Sequence, residues 1–493
     1  MIVGLRQRYG AWLAFAAGLP VPLAFSPFDS YLLLPLLLAC LLWLIDDVTP
    51  RVAAWRGWLF GAGAFLTGTY WLYVSIHVFG EAPLVLALLL MAALMAFMAC
   101  YSALACYVAA RYAPAGALRW LAAFPACWVL AEWLRGWFLS GFPWLSLGYS
   151  TTSSMLAGYI PLGGIFAASA AVAVSAGALR TLAGGDIRER VVAVGLLAAT
   201  WAFGWWSQQV PWTDAAEDTL TVSIVQGAIP QDRKWLPEEL VPTMRLYRDL
   251  TRQHWDSDLV IWPEAAIPAL RVSLVDYYAK IALEGEAYDT EIVTGTIEYD
   301  PVTNSYYNGV IALRGSQNVY HKRHLVPFGE YFPVPGFVRE WLRLRNLPYS
   351  DYTSGGDDQR PLQVAGQKIA PSICYEDVFG NEQRLMLPEA TLLVNVSNDA
   401  WFGTSIAPHQ HMQIARARAI ETGRYLLRAT NTGVSAVIAP DGRIEQTIPQ
   451  FETQVLTAAV RPHTGATPYV VVGDTAIVLL ASLAFVLALA RKR

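Results

Sequence analysis

Ile369-Ala-Pro-Ser-Ile373-Cys374-Tyr375-Glu376-Asp377 decides how the water-soluble part of this chain is read. An apolar, strand-like run ends there in a thiol and two carboxylates, and layered α/β folds place ligand sites at such strand ends. Cys374 is the only cysteine between residues 212 and 466, so that stretch holds no disulfide partner for it. A cysteine in a protein core is commonly a small hydrophobe. Cys40, Cys100, Cys106 and Cys127, all in long apolar runs, fit that role. Cys374, facing an oxidising compartment, would keep its thiol for a purpose.

The surrounding texture is that of an α/β domain. Apolar β-rich runs recur at Leu220-Thr-Val-Ser-Ile-Val225, Leu259-Val-Ile-Trp262, Glu291-Ile-Val-Thr-Gly-Thr296 and Leu392-Leu-Val-Asn-Val396. Helical patterns lie between them, from Pro237 to His254, Ser273 to Gly285 and Ala407 to Arg424. Strands alternating with helices predict helices layered on sheets.

The rest of the chain is made for another solvent. Of 493 residues, 55% are hydrophobic and 15% charged, against about 25% charged in soluble proteins. Apolar segments centre on residues 11–26, 31–45, 57–77, 83–110, 117–134, 155–179, 190–208 and 469–490. A helical crossing takes about 20 residues, so the expectation is an all-α bundle of eight transmembrane helices. Pro20 and Pro22 interrupt the first segment and the second is short, so this pair could instead form a re-entrant hairpin without changing the parity of later loops. Residues 1–209 read as a seven-span bundle, 210–466 as the soluble domain, and 467–493 as a last span with a basic tail.

Charge sets the orientation. Arg6, Arg8, Arg51, Arg56, Arg111, Arg119, Arg180, Arg188, Arg190, Arg491, Lys492 and Arg493 fall at the termini and in alternate loops, while the intervening loops hold little beyond Arg135. Positive charge stays on the cytoplasmic side. Both termini are therefore expected in the cytoplasm and the 210–466 domain outside it, in the periplasm of a two-membrane cell. Residues 1–26 have the basic start of a signal peptide but lack the small-residue cleavage pattern. The net charge of −4 and the absence of a Lys/Arg block argue against nucleic acid as a partner.

Two more strand ends complement the thiol. Trp262-Pro263-Glu264 closes one run, and Tyr320-His321-Lys322-Arg323-His324-Leu325-Val326-Pro327-Phe328-Gly329-Glu330 follows another. A thiol of pKa about 8.5 needs a base or a cation to attack near pH 7. Acyl transfer also needs a positive or hydrogen-bonding group for its oxyanion. Glu264 is of the right type to take the proton and Lys322 to face the oxyanion. Taken singly, a Glu after Pro, a loop Lys and a strand-end Cys all have structural explanations, and spacing does not show that they meet.

Together and in this order, the Trp-Pro-Glu, Lys-Arg-His-Leu-Val-Pro-Phe-Gly-Glu and Cys-Tyr-Glu motifs closely resemble the nitrilase superfamily. That resemblance implies an α-β-β-α sandwich with a Glu-Lys-Cys triad: Glu264 as general base, Lys322 as oxyanion stabiliser and Cys374 as the nucleophile that becomes a thioester. It further implies supporting roles for Glu330 beside the lysine, for Tyr375 and Glu376, and for Trp235 in Gln226-Gly-Ala-Ile-Pro-Gln-Asp-Arg-Lys-Trp235. With seven apolar segments before the domain and one after, the whole chain is similar to the apolipoprotein N-acyltransferase family. The expectation that follows is a monomer in the bacterial inner membrane that moves an acyl chain from a phospholipid to the N-terminal amine of a diacylated apolipoprotein.

Two other classes compete. An amidase would resolve the thioester with water and act on a small amide. A transporter or lipid-binding scaffold would need ionisable residues inside its spans, where Glu132 and Arg135 are the main examples. No cofactor or metal is expected: His409-Gln410-His411 points its two imidazoles to different helix faces and lacks third and fourth ligands. Ser354-Gly355-Gly356 lacks the Gly-Lys-Ser/Thr of a phosphate loop and reads as a turn. Gly336–Arg345, with Phe337, Trp341 and Leu344 on one face, reads as a core helix or an interfacial one. The aromatic loop Gly136–Trp144 reads as a similar interfacial element or as only an aromatic belt.

Overall fold

The computed structural model describes residues 2–314, 319–331 and 352–490. The amphipathic segment Gly336–Arg345 lies outside the described residues. Contacts divide the chain into two compact units, one of residues 1–212, 402–421 and 467–493, the other of residues 213–401 and 422–466.

In the first unit, helices occupy all eight apolar segments. They are α1 (Ile2–Gly18), α2 (Leu33–Ile45), α3 (Pro50–Gly68), α4 (Leu84–Tyr112), α5 (Phe124–Arg135), α6 (Ile160–Gly184) and α7 (Ile187–Ser207), with Thr475–Ala490 near the C-terminus. The Leu84–Tyr112 helix and the run Met155–Gly184 are long and apolar enough to cross a membrane by length and composition. α1 begins well before residue 11 and stops at Gly18, because Pro20 and Pro22 cannot continue a helix; a short 3₁₀ turn, Val21–Ala24, follows. α3 and α4 pack through small residues: a Cβ on Gly57 would come within 2.7 Å of the Cys106 sulfur, and one on Gly61 within 2.8 Å of the Ser102 hydroxyl. Cys106 is thus the small hydrophobe expected of it.

Four of the arginines that set the charge pattern are locked together or onto helix ends. Arg6 donates to Trp43 O at 3.2 Å and Arg56 to Leu44 O and Arg6 O. Arg119 donates to Ala113 O at 2.8 Å, and Arg180 pairs with Asp46 at 2.6 Å, which also accepts from Trp120 at 2.7 Å. Basic groups at helix C-termini satisfy carbonyls that the helix leaves open. Phe402–Glu421 also belongs to this unit. In it Gln410 accepts from Trp71 and Trp144, and Glu421 accepts from Ile165 N–H, where α6 breaks at Gly163 and Gly164.

Among the described residues the second unit holds fourteen strands: β1 (Asp214–Ala215), β2 (Leu220–Gln226), β3 (Leu259–Ile261), β4 (Glu291–Asp300), β5 (Ser305–Ala312), β6 (Val319–His321), β7 (Leu362–Val364), β8 (Gln367–Ile373), β9 (Leu392–Ser397), β10 (Leu426–Thr430), β11 (Ser435–Ile438), β12 (Ile444–Ile448), β13 (Gln454–Val460) and β14 (His463–Thr464). β1 and β14 form a small ribbon, and the others make two six-stranded sheets, β13-β2-β3-β4-β5-β6 and β12-β11-β10-β9-β8-β7. β2, β3 and β4 run parallel, as do β8, β9 and β10.

Strand alternation builds the layers. Along β2, Val225 packs into an outer core with Tyr247 and Tyr278 from helices Leu240–Arg252 and Val275–Glu286. Gln226, one residue on, faces the other way and accepts from Ser435 at 2.6 Å and Thr430 at 3.2 Å in the second sheet. The predicted runs at 220, 259, 291, 369 and 392 are all strands, each with near-continuous burial suited to parallel sheets covered on both faces.

Candidate active site

Glu264 owes its position to the residue two before it. Trp262 is fully buried against Tyr247, at 5.2 Å between rings, and its indole donates to Thr251 at 2.9 Å. That anchor fixes the end of β3, where Gly295 of β4 lets the chain pass: a Cβ there would sit 2.6 Å from Glu264 Cα. The Glu264 carboxylate accepts from Asn308 Nδ2 at 2.8 Å.

Lys322 follows β6 and is buried to 1% exposure. Its ammonium donates to Glu330 Oε1 at 2.8 Å. Glu330 is held in turn by Val326 N–H on Oε2 at 2.7 Å and by Asn308 Nδ2 on Oε1 at 3.3 Å. Asn308 thereby ties the two carboxylates into one network.

Cys374 follows β8 directly with φ of 50°, the left-handed region that costs a side-chain-bearing residue strain and recurs at functional sites. The turn that follows is pinned by Glu376, which is buried to 1%. Its Oε1 accepts from Tyr320 OH at 2.8 Å and from the N–H groups of Arg323 and His324, and its Oε2 accepts from Ile373 N–H at 2.6 Å. Glu376 therefore joins the lysine loop to the cysteine turn. Tyr375 packs edge-on to Phe379 at 5.1 Å and against His324 at 5.9 Å.

The three expected catalytic groups interact electrostatically. Burial pushes the Cys374 thiol up, Glu264 adds to the rise, and Lys322 opposes it. Burial also lifts Glu264 above the ordinary carboxylate range, opposed by Lys322 and reinforced by Glu330. Lys322 loses to burial but gains more from Glu330, Glu264, Cys374 and Glu376, so it holds its proton beyond the usual lysine range. Burial raises Glu376 to about 7 against Lys322, Tyr320 and the backbone donors. The arrangement pairs a proton-hungry carboxylate with a neutral thiol and a permanent cation, which suits attack on an acyl carbon with proton transfer to Glu264.

Trp235 stands apart in kind: it is 50% exposed, beyond the short helix Gln231–Lys234. Lys234, just before it, is buried and donates to Glu264 O at 3.1 Å. Burial lowers its proton affinity to about 8, countered by Glu264. Lys234, Asn308 and Tyr352 were not legible as site residues; Tyr352 is raised first by burial, then by Glu330 and Glu264. The one available signal was that Lys234 directly precedes Trp235 in a motif already singled out. Among the described residues, no three His, Cys, Asp or Glu side chains cluster as metal ligands.

The two six-stranded sheets and their helices form a carbon-nitrogen hydrolase domain: residues 221–469 match the carbon-nitrogen hydrolase family. Residues 17–178 match the apolipoprotein N-acyltransferase N-terminal domain. The chain is 43% identical over 464 residues to the apolipoprotein N-acyltransferase of Methylococcus capsulatus, covering 94% of this chain and 92% of that one. It is 42% identical over 471 residues to that of Chromobacterium violaceum, covering 94% and 90%, and 38% identical over 483 residues to that of Vibrio parahaemolyticus, covering 96% and 95%. The chain belongs to the apolipoprotein N-acyltransferase family.

Proposed function

We propose that the enzyme moves a fatty acyl chain from a membrane phospholipid, through a thioester on Cys374, to the α-amino group of the N-terminal diacylglyceryl-cysteine of an apolipoprotein, the last step of bacterial lipoprotein maturation. The observation that carries this reading is the electrostatically coupled Glu264, Lys322 and Cys374 set in a chain that matches its acyltransferase relatives over nearly its full length.

The Cys374 thiol is held protonated by burial and Glu264, so attack on the ester carbonyl is coupled to passage of the thiol proton to Glu264. Lys322, steadied by Glu330, faces the oxyanion. Collapse breaks the ester C–O bond; the proton returns to the leaving lysophospholipid oxygen and the acyl group stays on sulfur. The acceptor amine then attacks the thioester, Glu264 takes its proton, and collapse releases the amide and the thiol. Acyl transfer among ester, thioester and amide is redox-neutral and calls for no cofactor or metal. Trp235, Tyr375 and Glu376 support the site, the last by fixing the cysteine turn to the lysine loop.

The helical unit supplies the lipid. Both substrates carry acyl chains that cost about 0.8 kcal/mol per CH₂ to draw into water. Outward leucines and valines on α4, such as Val85 at 70% exposure, fit a lipid-facing span. The arginine locks at the helix ends fit a cytoplasmic side. In this reading eight helices cross the inner membrane, both termini are cytoplasmic, residues 210–466 are periplasmic, and the enzyme acts as a monomer.

The test supplies the purified enzyme with phospholipid and a diacylated lipopeptide, or with short amides. N-acylated lipopeptide and lysophospholipid in equal amounts are expected. Ammonia from the amides without lipopeptide acylation would overturn the proposal in favour of an amidase.

A further inference from the structure

β8 and β9 run parallel with Ile373 opposite Val396. Cys374 directly follows that pair on one chain segment and Ser397, the last residue of β9, follows it on the other, so the two are neighbours where the strands end. Ser397 is fully buried. Its hydroxyl donates to Asp399 Oδ1 at 3.0 Å, and a hydrogen bond from it opposes the rise in proton affinity that burial gives the Cys374 thiol.

A hydroxyl has one proton to give and two lone pairs. While the thiol keeps its proton, the Ser397 proton is engaged by Asp399 and its oxygen is open to the S–H. Once the sulfur is charged, it competes with Asp399 for that proton, and a hydrogen bond to an ionised acceptor is the stronger kind.

Asp399 does not suffer from the exchange. Arg428 Nη2 sits 2.9 Å from Asp399 Oδ2, and Arg428 Nη1 is held by Asp377 at 3.1 Å and by Asn395 Oδ1 at 2.5 Å. Arg428, Asp377 and Asn395 are fully buried and Asp399 nearly so. A carboxylate that keeps such a partner can release one neutral donor without being stranded.

We infer that Ser397 is a catalytic residue whose hydroxyl turns from Asp399 to the Cys374 sulfur as the thiol gives its proton to Glu264, and holds the thiolate by a hydrogen bond as it attacks. The same exchange reversed serves the second half-reaction, when the thiolate leaves the thioester. Arg428 is a positioning residue that keeps Asp399 in place throughout. This inference rests on the reading of Cys374 as the nucleophile.

The test follows carbamidomethylation of Cys374 by iodoacetamide against pH in the full-length enzyme, quantified on the Cys374 peptide by mass spectrometry. Ser397→Ala is expected to move the profile to higher pH and to slow alkylation at pH 7 about tenfold, the scale of one hydrogen bond to a charged group. Ser397→Thr, which keeps the hydroxyl, should retain the original profile. Asp399→Asn removes a neighbouring anion and weakens the competing acceptor, so it should move the profile to lower pH. A Ser397→Ala profile that overlays the original overturns the inference; if that variant does not fold, an Asp399→Asn profile that stays put or rises does so. Thioester formation on Cys374 from phospholipid, measured in the same preparation, separates the two claims. Its absence in the unaltered enzyme counts against the nucleophile, whereas a formed thioester with an unshifted Ser397→Ala profile counts against Ser397 alone.

Discussion

Lys322 and Glu330 meet as an ion pair with Nζ 2.8 Å from Oε1, and the same carboxylate oxygen accepts from Asn308 at 3.3 Å. In the proposed mechanism the cation that faces the reacting carbon is thus fixed by a carboxylate eight residues along its own loop, and Glu264 is left to handle protons.

Glu330→Gln should lower turnover about 10- to 10²-fold, the scale of one lost hydrogen bond to a charged group. The pH profile gives a second sign. Glu330 raises the proton affinity of Glu264, so its removal should shift the acid limb of the rate profile to lower pH, while Lys322 stays charged on both sides of it. Rates of lysophospholipid release measured across pH check both.

Lys322→Ala should cost on the order of 10²–10³ in turnover if the lysine acts as one oxyanion donor. Phospholipid KM should change far less, because the interaction strengthens only as charge develops. Near-normal turnover in steady-state assays would assign the oxyanion to another group.

Lys234→Met tests the buried second cation. Lys234 lowers the proton affinity of Glu264, so its loss should move the acid limb of the rate profile to higher pH. Its own pKa of about 8 in the folded state lies below the ~10.4 of an unfolded lysine. The unfolded chain therefore binds the extra proton between those values, and stability rises with pH across that window. Between pH 7.5 and 10, thermal unfolding should shift further upward, or less downward, in the native enzyme than in the variant, which lacks this contribution.

Gly295→Ala places a methyl 2.6 Å from Glu264 Cα and 2.7 Å from Pro263 O. Backbone cannot swing aside as a side chain does, so a destabilisation of about 1–3 kcal/mol is expected. Turnover should fall further than stability explains, because the displaced atoms carry the base. Denaturation and rate measurements on the same preparation distinguish the two effects.

Strands and the polar motifs at their ends were legible because parallel strands buried on both faces leave long apolar runs, and because polar side chains gather where those runs stop. Cys374, Glu264 and Lys322 stood out on that ground. Asn308 did not, since an asparagine inside β5 bears no mark of the two carboxylates it joins. Lys234 and Ser397 were hidden for a similar reason: their roles come from what lies across a sheet or a turn. α1 extends upstream of the apolar segment through Arg6 and Arg8, which apolarity does not mark although arginine is a good helix former. The grouping of Phe402–Glu421 with the helical unit was likewise invisible, as its helix reads along the chain as an ordinary crossover between β9 and β10.

The central claim is a covalent acyl-enzyme on Cys374. Intact-mass measurement after incubation with phospholipid alone, with no amine acceptor, tests it most directly. The account predicts a mass increase of one acyl chain, reversed by hydroxylamine, mapped to the Cys374 peptide and missing from Cys374→Ser. An active enzyme that shows no such adduct, or a Cys374→Ser variant that still forms one, would contradict it.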